Sequence, residues 1–132
     1  MNTKIVCSYI LICFLLFSFV KTDIPKHRGL AKISVLKAYS QNVLGKNIGY
    51  YVEFKNNASV KVDGLKWTAL FYDNFDELKG KNNGEWSSGN FIKPIKVGGT
   101  TKDIESAWIK NASKVFIIIN KVHFENGKSY GK

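Results

Sequence analysis

Asp73, Asp76 and Glu77 place three carboxylates within five residues, enough hard oxygen to hold a calcium ion. Their spacing is not that of an EF-hand loop, and Asp beside Asn74 is also what a tight turn selects, because such side chains hydrogen-bond backbone groups two residues on. A calcium site and a self-bonded turn are therefore the two readings of this cluster, and the turn rule favours the second. Trp86 lies among Asn83, Gly84, Ser87, Ser88 and Gly89. An aromatic in a loop of small residues can stack against a sugar or a peptide, which makes Trp86 the candidate ligand-binding residue; the competing outcome is an indole that plugs one end of a hydrophobic core. His27 and His123 are accompanied by no cysteine nucleophile after residue 22 and no Gly-x-Ser-x-Gly elbow. A metal site would need three or four converging ligands. Glu53, Asp63, Glu85 and Glu105 could furnish the two acids of a glycoside hydrolase, but the sequence alone brings no two of them to the separation that chemistry requires. No catalytic residue, metal ligand or cofactor is assigned.

These residues sit in a chain of two parts. Lys4 followed by the apolar run Ile5 to Val20 has the basic start and hydrophobic centre of an export signal. Cleavage is expected after Thr22. An uncleaved anchor is the alternative, since sixteen helical residues rise roughly 24 Å against a hydrocarbon core of roughly 30 Å. Residues 1–22 are thus read as signal peptide or membrane anchor, 23–29, with Pro25 and Gly29, as linker, and 30–132 as one domain. Cys7 and Cys13 both fall inside the apolar run, so the domain has no disulfide and its core must hold it unaided. An exported domain of this kind fits a bacterial envelope, periplasmic or secreted, better than a disulfide-dense eukaryotic scaffold. The sequons at Asn57 and Asn111 would matter only in a eukaryotic host.

The chain carries 20 basic and 10 acidic residues, and loss of Lys4 and Lys21 with the leader would leave 18 against 10. Such a surface attracts polyanions weakly. Specific nucleic-acid recognition is not expected, because Arg28 is the single guanidinium and the lysines are scattered, as edge-protecting lysines are.

From Leu30 onward the hydrophobic pattern has period two. Ile33 and Val35 begin a first strand ending near Tyr39, and Asn42 to Asn47, with Gly45, makes the turn. Tyr50, Val52 and Phe54 alternate with Tyr51, Glu53 and Lys55; Leu65, Trp67, Ala69 and Phe71 then share a face, with Gly64 marking a bulge. Asp73 to Glu77 reads as a polar loop that Gly80 to Gly84 extends, followed by a weaker strand around Trp86, Phe91 and Ile92. Gly98 and Gly99 turn the chain into Thr100 to Ile109, and Lys114 to Phe124 is apolar on both faces. A two-residue type I′ turn in Glu125 to Lys128 leads into a last short strand. Seven strands with regular turns and no helical period predict an all-β, immunoglobulin-like antiparallel sandwich, with Trp67 and Trp108 in one core.

Tyr51-Val-Glu-Phe-Lys-Asn-Asn, Lys66-Trp-Thr-Ala-Leu-Phe-Tyr-Asp and Ile92-Lys-Pro-Ile-Lys-Val-Gly-Gly-Thr100, in that order, resemble the FxLYD-like group of small bacterial envelope domains. Tyr72 and Asp73 match its eponymous pair, with Ala69 and Phe71 where that group has Phe and Leu. The resemblance covers about half of residues 23–132 and implies an immunoglobulin-like sandwich without an assigned catalytic role; it transfers no functional residue. The expected function is a non-enzymatic exported binding or accessory domain, its partner an envelope protein or glycan. The membrane would be met only through residues 1–22, if these are retained. The alternatives are a small carbohydrate-active hydrolase and a basic secreted effector acting on anionic surfaces.

Overall fold

A computed structural model describes residues 26–132; the expected leader, its cleavage site and anchor lie outside them. Seven strands follow one another without a helix among the described residues: β1 (Ile33–Val43), β2 (Lys46–Asn56), β3 (Val62–Tyr72), β4 (Leu78–Ser87), β5 (Thr100–Ser106), β6 (Lys114–Phe124) and β7 (Ser129–Gly131). They form two antiparallel sheets, β1-β2-β5 and β4-β3-β6-β7. The chain changes sheet between β2 and β3, between β4 and β5 and between β5 and β6, and within the sheets β2 pairs with β5 and β3 with β6. This interlocked connectivity gives the expected immunoglobulin-like sandwich.

The alternation read in β2 and β3 builds the core. Tyr50, Val52 and Phe54 face Leu65, Trp67, Ala69 and Phe71, all essentially closed to solvent, with Ile117, Ile119 and Val122 of β6 alongside. Trp67 lies at the centre, its Nε1 donating to Tyr50 Oη at 2.9 Å and its ring 4.9 Å from that of Phe54. Each buried ring of this size removes roughly 150–250 Å² from water, which offsets the lack of disulfides.

Several expectations are corrected. Gly80 to Gly84 is not a loop but the middle of β4, whose partners on β3 run from Gly64↔Ser87 to Tyr72↔Leu78. Sheet pairing overrides the weak strand preference of Asn and Gly there, and Gly84 stands directly opposite Trp67. The weaker strand therefore splits: Trp86 belongs to β4, whereas Phe91 and Ile92 are exposed outside any strand. Trp108 is 76 % exposed and shares no core with Trp67, because β5 ends at Ser106 before the Ala107-Trp108-Ile109 cluster. β6 buries Val115, Ile117 and Ile119 on one face, while Phe116 and Ile118 on the other are half-covered, Phe116 by the rings of Tyr72 and His27. The last hairpin has a three-residue loop, closed by Phe124 and Lys128, in which Gly127 supplies positive φ. Gly64 does mark a bulge: the β3–β6 register shifts between Val62 and Gly64.

Residues 26–30 are tied into the sandwich. Arg28 forms a parallel bridge with Ile118, its N–H donating to Ile117 O and its carbonyl accepting from Ile119 N, both at 2.9 Å. The Ile117 N–H donates to His27 Nδ1 at 3.0 Å, so that nitrogen must be unprotonated, and burial pushes the His27 pKa below its ordinary value of 6.5. A histidine held neutral in the fold contributes stability above its unfolded pKa, and that contribution is lost as pH falls through the lowered folded value. Hydrogen exchange at Ile117 is expected to accelerate below about pH 6 relative to the core amides of β3, and His27→Gln to remove that pH dependence.

Candidate functional site

The register places three loops at one end of the sandwich. The β1–β2 turn closes between Val43 and Lys46, the β3–β4 loop leaves at Tyr72 beside Lys114, and the β5–β6 loop begins at Ser106 opposite Gly49. Each loop carries a large apolar tip turned to solvent: Leu44 at 97 % exposure, Phe75 at 85 % and Trp108 at 76 %.

Hydrogen bonds hold the loops in one arrangement. Ser40 Oγ of β1 donates to Ser113 O at 3.0 Å, and Ser113 Oγ reaches Asn74 Oδ1 at 2.8 Å. Lys114 Nζ adds an ion pair to Asp76 at 2.6 Å. Leu44 and Gly45 both have positive φ, +51° and +74°, forming a two-residue type I′ turn. Such a turn selects Asn, Asp or Gly at its first position; a leucine there is strained and fully presented to solvent, a combination that packing does not explain. Between this turn and the β5–β6 loop lies a hollow of about 420 Å³ lined by Lys46, Asn47, Trp108, Ile109, Lys110 and neighbouring backbone. Asn47 is buried beneath it, and its Oδ1 meets no donor among the described residues.

The three carboxylates singled out in the sequence belong to this end and hold its β3–β4 loop. Asp73 Oδ1 accepts from Phe75 N at 2.8 Å and Glu77 N at 3.0 Å, while Oδ2 pairs with Lys79 Nζ at 3.1 Å. Burial opposes ionisation of Asp73, but these hydrogen bonds outweigh it and hold its pKa below the ordinary value. Glu77 also pairs with Lys79, at 3.0 Å. Each carboxylate is directed to its own turn or to a lysine, and among the described residues no three His, Cys, Asp or Glu side chains converge as metal ligands.

Trp86 is only 8 % exposed and packs in the core from β4. One edge borders a hollow of about 300 Å³ at the opposite end, shared with Asp63, Ser87, Ser88 and His123. The bulge before Gly64 swings Asp63 onto His123 Nδ1, with which it makes a short hydrogen bond.

The four scattered acids are not gathered. Glu53 accepts from Tyr51 Oη, Asp63 is held by His123, Glu85 faces Lys66 at 3.7 Å, and Glu105 lies on β5 beside Asp103, which no sequence motif singles out. Asp103 and Glu105 stand on the same side of β5 as the core, opposite Val52 and Tyr50. Burial raises the Glu105 pKa, and the Asp103 charge and hydrogen bond raise it further. Burial, chiefly, also pushes the Tyr50 hydroxyl up to about 12. A carboxyl whose folded pKa lies above its unfolded one favours folding at low pH and loses that contribution as pH rises through the folded value. Glu105→Gln is therefore expected to raise the melting temperature at neutral pH, with the gain vanishing below about pH 4, where the unfolded carboxyl is protonated too.

The two sheets and the three exposed tips define the class as an all-β sandwich bearing an apolar end. Comparison of the chain with models of protein families, with curated proteins and with solved structures yields no significant match.

Proposed function

We propose that this chain is a non-enzymatic binding domain of the cell envelope, exported by its N-terminal segment, with the Leu44–Phe75–Trp108 end as its contact surface. The observation that carries the reading is that three separate loops, two of them tied to each other and to β1 through Ser113, each present a large apolar side chain to solvent at the same end. Scattered apolar residues are ordinary on a protein surface; a clustered, cross-linked set marks an interaction site. The other end also exposes Phe91, Ile92 and Val97, but all three belong to the single connection between β4 and β5. The order of the strand ending in Asn56, the strand ending in Tyr72 and the turn at Gly98 and Gly99 supports kinship with the FxLYD-like domains as part of the same proposal.

The test is capture from envelope extract by the full chain at low and high salt, set against the variant Phe75→Ser/Trp108→Ser. Both residues are exposed, so the variant should fold. A partner retained at high salt by the natural chain and lost by the variant supports the reading. Identical capture by both proteins contradicts it.

A further inference from the structure

We infer that the Leu44–Phe75–Trp108 end docks on an anionic lipid surface, with the three tips entering the headgroup boundary and the lysines around them facing lipid phosphates. This inference rests on the binding-domain reading and names the partner of the same end. Three observations carry it: the apolar tips, the charge around them, and the direction from which the chain enters the domain.

The tips are side chains suited to the water–lipid boundary: an indole, a phenyl ring and a leucine, on loops rather than in a groove. A groove would fit a peptide; separate projecting tips fit a deformable surface. Their chemistry alone does not choose lipid over protein.

The charge around them does. Lys46 and Lys110 flank the hollow beside Trp108, both exposed and in no ion pair among the described residues. Of the acids that would repel lipid phosphate, Asp73 and Glu77 share Lys79 and Asp76 pairs with Lys114, which leaves one carboxylate charge unmatched. Lys46 and Lys110 exceed it, so these three loops and their lysines carry a net positive charge of one, on a chain of formal charge +10. Each lysine near an anionic leaflet strengthens binding about fivefold, so two of them complement tips that bury only a few side chains.

Chain direction is the independent observation. β6 starts at this end, where Lys114 pairs with Tyr72, and Arg28 bridges Ile118 in parallel. The described segment from Lys26 thus enters the sandwich from this end, Lys26 standing roughly 7 Å, two strand residues, inside the start of β6. The apolar run Ile5 to Val20 precedes it by only five residues. An N-terminal segment engaged in a membrane would bring this end, not the opposite one, to the bilayer.

Trp108 is a built-in reporter, because Trp67 and Trp86 are closed to solvent. The experiment follows tryptophan emission of the full chain on mixing with vesicles of equimolar phosphatidylglycerol and phosphatidylcholine, with vesicles of phosphatidylcholine alone, and with anionic vesicles carrying brominated acyl chains. Trp108→Phe serves as the control for origin. The expected result is a blue shift with anionic vesicles, quenching by the brominated lipid, and loss of both in Trp108→Phe. Lys46→Glu/Lys110→Glu should weaken vesicle partitioning by about tenfold or more, and Leu44→Ser/Phe75→Ser/Trp108→Ser by about a hundredfold. The N-terminal run is common to every variant, so these differences report the end itself.

Unchanged Trp108 emission on anionic vesicles overturns the inference. Emission already blue-shifted and shielded before vesicles are added also overturns it, and points to the chain's own N-terminal run as occupant. Unchanged emission on vesicles together with Trp108-dependent capture of an envelope protein overturns the lipid assignment while leaving the binding-domain reading in place. Failure of both removes both.

Discussion

Replacing Asn56 by alanine is expected to destabilise the domain by at least about 2 kcal/mol, read as a lower urea midpoint with an unchanged slope. Asn56 ends β2 with its side chain fully buried. Its Nδ2 donates to Val60 O at 2.9 Å and to Ile95 O at 3.1 Å, and its Oδ1 accepts from Ala58 N at 2.9 Å. Alanine would strand the buried Ala58 amide and the half-buried Val60 carbonyl, each orphan costing about 1–3 kcal/mol, while Ile95 O keeps its bond from Val62 N. The same side chain joins the β2–β3 connection to Ile95, which itself bridges Val62 at the start of β3. Asn56→Asp is the sharper test. It keeps the acceptor for Ala58 but removes both donors and faces a carboxylate with two carbonyl oxygens. Aspartate should therefore be no better than alanine at neutral pH and should recover partly in acid, when its protonated oxygen can donate once.

The second large effect is at Gly84. A Cβ built there would lie 2.1 to 2.4 Å from Cε2, Nε1 and Cζ2 of Trp67. The indole cannot yield, being 1 % exposed, bonded to Tyr50 Oη and packed on Phe54. Gly84→Ala should cost about 3 kcal/mol or more, at the upper end of what overpacking does. The clash is with the Nε1–Cε2 side of the indole, which leucine lacks. In a Trp67→Leu background, Gly84→Ala should therefore cost far less than in the natural chain, a coupling that a double-mutant cycle measures. Additive losses would mean that Gly84 matters for backbone freedom rather than for the space it leaves.

These two positions show what was legible in the sequence and what was not. The alternation in Tyr50 to Phe54 and in Leu65 to Phe71 identified the core face residue by residue, because each strand buries one face and period two has a single reading. Asn56 was visible only as a strand end, since its three partners come from Ala58, Val60 and distant Ile95. β4 was lost because Gly80, Asn82, Asn83 and Gly84 have loop propensities, and the feature that makes a glycine necessary is an indole on the neighbouring strand. Hydrophobicity alone places Trp108 in the core, whereas β5 ends two residues earlier.

The same physics hid the candidate site. Leu44, Phe75 and Trp108 are far apart in sequence and unremarkable singly; only the pairing of β2 with β5 and of β3 with β6 brings their loops to one end. One local signal was readable. Leu44 precedes Gly45 in a two-residue turn, where positive φ is required and leucine is a poor choice. The acidic cluster was legible as chemistry and as turn, and its hydrogen bonds to Phe75 and Glu77 are those the turn rule describes.

Hydrogen exchange of the full chain, alone and with an envelope membrane fraction, tests the proposed contact surface most directly. Slowed exchange is expected to be confined to the loops around Leu44, Phe75 and Trp108, with β4, β5 and the hollow beside Trp86 unchanged. Protection centred instead on Asp103 and Glu105, or on the Trp86 hollow, with the three loops exchanging as they do in the free protein, would contradict it.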